Sequence, residues 1–267
     1  MSYDGSVQFT DVRRVFDGRS GNAHVAVDKV SLLLDSTTRL GIVGESGSGK
    51  STLVRLMMGL DFATSGSVEY RGRDLKSMSK SEIHEFRTNV QLVAQDTSSS
   101  FDPRRSLRDG VRRPLLTLLG LSTKEANERV DSTLESLSID PSLADRKPHQ
   151  VSGGQRQRFS IARALVIEPK LIVCDEAVSA LDVSVQGSVL NLLKDHCVHN
   201  EAGLVFVSHG LPATAFICEE LIVMYQGVIV EQGSTSQVVF HSEHPYTRSL
   251  VDAYRTTASS DRSGAAR

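Results

Sequence analysis

The segment GESGSGKST, residues 44–52, concentrates glycine, small hydroxyl residues and one lysine in a fixed order, matching G-x-x-x-x-G-K-[ST]. It follows an apolar run, RLGIVG, and precedes an apolar-periodic stretch, STLVRLMMGL, so the loop is expected between a buried strand and a helix. Gly44, Gly47 and Gly49 would let the backbone wrap phosphate oxygens with N–H groups that a Cβ would obstruct. Lys50 would reach β- and γ-phosphates as a point charge, and the Ser51 hydroxyl would ligate Mg²⁺. Ser46, Ser48 and Thr52 complete the nucleotide-binding set.

Two further stretches carry chemistry. In LIVCDE, residues 171–176, a continuous apolar run ends in two acids. That reads as a buried parallel strand delivering carboxylates to its C-terminal edge, where open α/β sheets bind ligands. Asp175 would hold Mg²⁺, directly or through water, and Glu176 would act as general base on an attacking water. Taken alone, the pair could instead be a helix cap or two solvated acids. In VSGGQRQRFSIARAL, Ser152, Gly153 and Gly154 stand at the start of a long helix, a second place where bare N–H groups can meet an anion.

The elements that must position these residues are legible as an α/β pattern. Residues 7–16 and 25–34 read as strands flanking a polar loop, and SVEYRG and VQLVAQ follow with an intervening helix that Ser79 and Glu82 cap reciprocally. From about 97 to 165 helical periodicity takes over. After Pro169 the alternation resumes: LIVCDE, a helix over 183–199, LVFVS, another helix, LIVMYQG and VIVEQG. The reading is one α/β domain over residues 1–254 with a helical insertion, and a tail at 255–267, small and polar, expected to be disordered.

Composition excludes other classes. With Lys+Arg 30 against Asp+Glu 32, no overall charge draws the chain to nucleic acid. No apolar run reaches membrane-spanning length, and the N-terminus lacks the pattern of a signal peptide. Cys174, Cys197 and Cys218 match no CxxC spacing, as expected of reduced thiols inside a cell.

Taken together, these motifs resemble the ATP-binding subunits of ABC transporters, over roughly residues 7–254 and in the order of that family. The resemblance implies a P-loop NTPase fold with an antiparallel β subdomain and a helical subdomain. It makes VSGGQ, with Ser152, Gly153, Gly154 and Gln155, the signature motif. Gln95 is then the Q-loop glutamine, contacting Mg²⁺; SALD with Asp182 is the D-loop; His209 is the switch histidine; and Phe16 stacks on adenine. Each has a plainer alternative: Gln95 a strand-end polar residue, His209 a helix cap, Phe16 core. The family packs two such domains head to tail, so that ATP lies between one phosphate loop and the partner's signature motif. The resemblance therefore implies ATP and Mg²⁺, a second ATPase chain (the same or a sister subunit), integral membrane permease subunits docking on the helical lobe, and indirectly a solute-binding protein. It also places the chain at the cytoplasmic face of the cell membrane.

Within the family, QDTSSSFDPRR and HPYTRSLVDAY resemble importers of oligopeptides, dipeptides and nickel. The expected function is the ATPase of a peptide importer. The alternatives are a nickel or other small-solute transporter, or a soluble switch ATPase. Departures are Phe101-Asp102 for Leu-Asn, Ala177-Val178 for Pro-Thr, and Gly210 for Asp after the histidine. No cysteine follows position 218, so no iron–sulfur cluster is expected.

Overall fold

The computed structural model describes residues 6–17, 23–95, 100–178, 181 and 183–264. Asp182 and residues 97–99 of the helical insertion, each named above, lie outside them. In chain order the elements are β1 (Val7–Asp17), β2 (Ala23–Leu34), β3 (Arg39–Val43), α1 (Lys50–Met57), β4 (Ser65–Tyr70), β5 (Arg73–Asp74), α2 (Lys80–Asn89) and β6 (Val90–Val93). The helical lobe follows with α3 (Leu107–Leu118), α4 (Thr123–Ser136) and α5 (Gly153–Leu165). Then come β7 (Leu171–Asp175), α6 (Val183–His199), β8 (Gly203–Val207), α7 (Leu211–Ile217), β9 (Glu220–Tyr225), β10 (Val228–Ser234), α8 (Thr235–Phe240) and α9 (Pro245–Gly264).

Two sheets result. One is antiparallel, in the order β2-β1-β4-β5; the other runs β10-β9-β3-β8-β7-β6, parallel except for its β10 edge. The central strands are apolar at nearly every position because both faces are covered. Ile172, Leu204 and Phe206 face a core shared with the helical lobe, whereas Val173, Val205 and Val207 face a second core shared with the antiparallel sheet and α1. All three cysteines are buried free thiols in the first of these cores.

Local signals read from sequence act as expected at α2: Ser79 and Glu82 form a reciprocal capping box. A second box, Ser122 with Glu125, starts α4. Helix α1 ends at Met57, short of the expected Leu60, because Gly59 turns left-handed at φ 61. Across residue 254 the backbone runs on without a break. The tail expected to be disordered is helical as far as Gly264, continuing α9, since no Pro or Gly interrupts the stretch before that residue.

The helical lobe explains one departure from the importer pattern. The Phe101 ring is buried against α3 at Gly110, where a Cβ would lie 2.4 Å from ring atom Cδ1, and the Arg163 guanidinium covers the ring at 4.9 Å. A mid-helix glycine ordinarily costs about 1 kcal/mol relative to alanine; here it makes room for the larger side chain. Gly110→Ala is therefore expected to destabilise the protein by roughly 1–3 kcal/mol in urea unfolding, against its helix propensity. Combined with Phe101→Leu, most of that loss should disappear, a coupling that a double-mutant cycle reads directly.

Candidate functional site

The site lies where the parallel strands end. The phosphate loop leaves β3, Gln95 lies just beyond β6, Asp175 and Glu176 close β7, and His209 follows β8. A single cavity of about 350 Å³ is lined by Phe16, His24, Ala26, Ser46, Gly47, Gly49, Lys50, Ser51, Thr52, Gln95, Glu176 and His209. Residues scattered over the whole chain thus meet at the carboxyl edge of one sheet.

Glycine has two different uses in the loop. Gly44, Gly47 and Gly49 all have positive φ (153, 81 and 107°). A Cβ on Gly44 would lie 2.2 Å from the Met224 carbonyl oxygen, and one on Gly49 would lie 2.2 Å from that of Ala26. What excludes a side chain at these two positions is therefore the protein's own backbone rather than a ligand. Only Gly47 faces open space, as the expectation of unobstructed phosphate contact requires. Gly49 also caps α1 with no side-chain hydrogen bond, which leaves the positive end of that helix directed into the loop.

Lys50 is buried, 4 % exposed, and its ammonium donates to the carbonyl oxygens of Gly44 and Glu45, both at 2.7 Å. Burial holds its pKa below the usual lysine value of 10.5, while Glu176, Asp175 and Glu45 pull the other way. Opposite it, the Glu176 carboxylate accepts from the Gln95 side-chain amide and pairs with His209 Nε2 at 2.5 Å. Glu176 reaches this position through a left-handed backbone, φ 51°, with its N–H donating to the Val207 carbonyl at 2.8 Å. Such a conformation carries a modest cost in a non-glycine residue, and turn residues such as Ser138 and Gln226 share it. Asp175 is different: its Oδ1 is buried and makes no hydrogen bond among the described residues. Burial, then the neighbouring Glu176 charge, raises its pKa above the usual 3.8. An orphaned carboxylate oxygen beside a serine-bearing phosphate loop suits a hard divalent cation such as Mg²⁺.

Three of the plainer alternatives fail on geometry. The cap of α7 is Gly210, so His209 is not a helix cap. Gly210 itself has an ordinary φ of −87°, and its N–H donates to Ser208 Oγ at 2.9 Å, which ties down the loop beside His209. Asp175 and Glu176 cap no helix either, since α6 starts at Val183. Phe16 is not core: it is 38 % exposed, lines the cavity, and carries the Arg14 guanidinium 4.4 Å from its ring centre. His24 and Ala26 were not anticipated. Phe16 and His24 are direct cross-strand partners of β1 and β2, a pairing that a register estimate of the two strands would have exposed.

The second anion-type motif stands apart. None of Ser152, Gly153, Gly154 or Gln155 lines the cavity. Ser152 caps α5, its oxygen accepting from Gln155 N–H at 3.2 Å while Gln155 Oε1 accepts from Ser152 N–H at 2.9 Å. Gln155 was expected to contact nucleotide; its side chain serves here as the other half of a capping box. Ser152 and Gly153 are exposed, and a Cβ on Gly153 would meet nothing within 4 Å.

Comparison with known proteins shows the family. A match to the ABC transporter family spans residues 27–179. The chain belongs to the ABC transporter family. The cassette is 43 % identical over 229 residues to the oligopeptide transport ATP-binding protein OppF of Salmonella typhimurium, covering 85 % of this chain and 69 % of that one. It is 40 % identical over 234 residues to the di/tripeptide transport ATP-binding protein DppF of Pseudomonas aeruginosa, covering 87 % and 72 %. Among solved structures, the dimeric bacterial ABC transporter cassette MJ0796 superposes with a TM-score of 0.79 at 26 % identity, covering 86 % of this chain and 98 % of that one. The same protein is known as a post-hydrolysis dimer bound to ADP and Pi, with a TM-score of 0.78 at 27 % identity and the same coverage. The chain is thus an ATP-binding cassette ATPase. Among the described residues no helix is long and apolar enough to cross a membrane.

The environment of Asp175 gives a test with a definite sign. Its raised pKa means that folding disfavours the carboxylate, a penalty absent below about pH 3.8, where the group is protonated in both states, and growing as pH rises through its folded value. Asp175→Asn should therefore raise the thermal midpoint at pH 7 in the absence of nucleotide, with the gain shrinking towards acid. The same substitution should abolish Mg²⁺-dependent ATP hydrolysis. A midpoint that falls at pH 7 would contradict this electrostatic reading.

Proposed function

We propose that this cassette hydrolyses MgATP, in a head-to-tail pair with a second ATPase chain, to drive the import of peptides by membrane permease subunits. The observation that carries the catalytic part is the convergence of Lys50, Glu176, Gln95 and His209 on one cavity beside the unpartnered Asp175 oxygen. Peptides are favoured over nickel or another small solute because the relatives at about 40 % identity are named for oligopeptides and di/tripeptides.

In this reading the N–H groups of residues 46–52 cradle the phosphates, and Lys50 exchanges its two loop carbonyls for β- and γ-phosphate oxygens. Phe16 offers its face to adenine, with His24 beside it. Ser51, Asp175 and Gln95 would hold Mg²⁺, which supplies positive charge to the phosphates when bound. Glu176, aligned by Gln95 and His209, takes a proton from the water that attacks the γ-phosphorus as the bond to the β-phosphate oxygen breaks. Ser152, Gly153 and Gly154 on the exposed start of α5 serve the partner's γ-phosphate, and the partner's equivalent serves this one. Asp182 belongs to the same interface by resemblance. The helical lobe takes the permease; its groove of about 460 Å³, lined by Phe101, Arg105, Asp109 and Arg113 among others, supports that role. The protein would accordingly be peripheral, on the cytoplasmic face of the membrane, and only indirectly linked to a solute-binding protein. Nothing in this reading involves nucleic acid.

Two experiments check it. Lys50→Ala should eliminate calorimetrically detectable MgATP binding while leaving the circular dichroism spectrum unchanged; equal affinity in mutant and parent would remove the phosphate-loop assignment. Glu176→Gln should slow hydrolysis by about 10²–10⁴-fold, retain ATP, and accumulate a dimer in light scattering, with the purified sister chain if one is required. Adding Ser152→Arg should dissolve that dimer. A dimer that survives the arginine would show that α5 does not close on a partner's nucleotide.

A further inference from the structure

The HPYT segment, read above only as a mark of subgroup, reaches the phosphate loop. The Glu45 backbone N–H donates to the Tyr246 hydroxyl at 2.9 Å, joining residues 201 positions apart. The carbonyl on the other side of that same peptide unit is Gly44 O, the one that receives the Lys50 ammonium at 2.7 Å. On the Cα of Gly44, the Met224 carbonyl leaves no room even for a Cβ. One peptide is thus fixed by the catalytic lysine, by the end of β9 and by a residue from α9.

Tyr246 is itself firmly placed. Its ring lies against Tyr225 at the end of β9, with centroids 4.3 Å apart. Its N–H donates to His244 Nδ1 at 3.2 Å, and the N–H groups of Glu243 and His244 donate to the Glu231 carboxylate of β10 at 2.8 and 3.2 Å. Burial pushes the tyrosine pKa up, so the hydroxyl is neutral at physiological pH.

We propose that Tyr246 is a positioning residue for nucleotide binding: its hydroxyl fixes the Gly44–Glu45 peptide, so that the C-terminal helix sets the shape of the phosphate loop and the resting place of Lys50. This rests on the reading of Lys50 as a phosphate ligand. A loop held in its binding shape spends less of its interaction with phosphate on ordering itself. Losing the hydroxyl should therefore weaken nucleotide binding and leave the chemical step alone.

Tyr246→Phe keeps the ring on Tyr225 and deletes only the oxygen. In the full chain, the dissociation constants of both MgATP and MgADP, measured by calorimetry, are expected to rise about 3- to 10-fold, the usual worth of one hydrogen bond. The KM for ATP should rise in parallel, with kcat at saturation and the thermal midpoint unchanged. Tyr225→Phe, whose hydroxyl meets only Gln226 among the described residues, is the control and should bind normally. The proposal is overturned if Tyr246→Phe binds nucleotide within twofold of the parent, or if kcat falls together with the thermal midpoint, which would make Tyr246 a support of the fold alone. If Lys50→Ala binds ATP normally, the phosphate-loop reading has failed first and takes the proposal with it.

Discussion

A buried ammonium beside buried carboxylates is the constraint around which this molecule is arranged. Neither kind of charge leaves water cheaply, and each is tolerable only near the other or with hydrogen bonds in place of solvent. Lys50 meets that condition with two loop carbonyls and the field of Asp175 and Glu176. Glu176 meets it with the amide of Gln95 and the imidazole of His209. Asp175 does not meet it fully: its Oδ1 is buried with no hydrogen-bond partner among the described residues. To bring these groups together, four parallel strands must end at one edge, and the residues that follow them must turn sharply; hence the left-handed loop glycines and the unusual backbone of Glu176.

The amino-acid pattern made the strands and most helices legible because their signals are local. Apolar runs of five or six residues mark strands covered on both faces, and Ser79 with Glu82 marks a helix start. The loop and the acidic pair at the end of β7 were legible for the same reason: each is continuous in sequence. What escaped notice depends on contacts between distant segments. His24 enters the cavity only through its register with Phe16, and Gly44 and Gly49 owe their identity to carbonyls of Met224 and Ala26, on other strands. The end of α9 escaped because a small polar composition is compatible both with a solvated helix and with none.

Phe101 and Gly110 show how a departure from a familiar pattern becomes intelligible once packing is known. Read alone, the phenylalanine is a mild substitution and the glycine a weak point in a helix. Together they form one fitted contact, closed on its third side by Arg163. The lobe that carries them is bound to itself by Arg108, which reaches both Asp131 and Asp145 at 2.5 and 3.1 Å and so ties α3 to α4 and to the loop after it.

The cap of α5 has a consequence for the hydroxyl that forms it. A serine hydroxyl has one proton and two lone pairs, and in Ser152 one lone pair is already occupied by the Gln155 N–H. An oxygen that accepts a hydrogen bond becomes a stronger donor, because the charge drawn from it leaves its own proton more exposed. The Ser152 hydroxyl is therefore a stronger donor than that of a free serine, at an exposed helix start beside Gly153 and Gly154, and it keeps one lone pair with which to accept. The same capping box that starts the helix thereby polarises the hydroxyl at its tip.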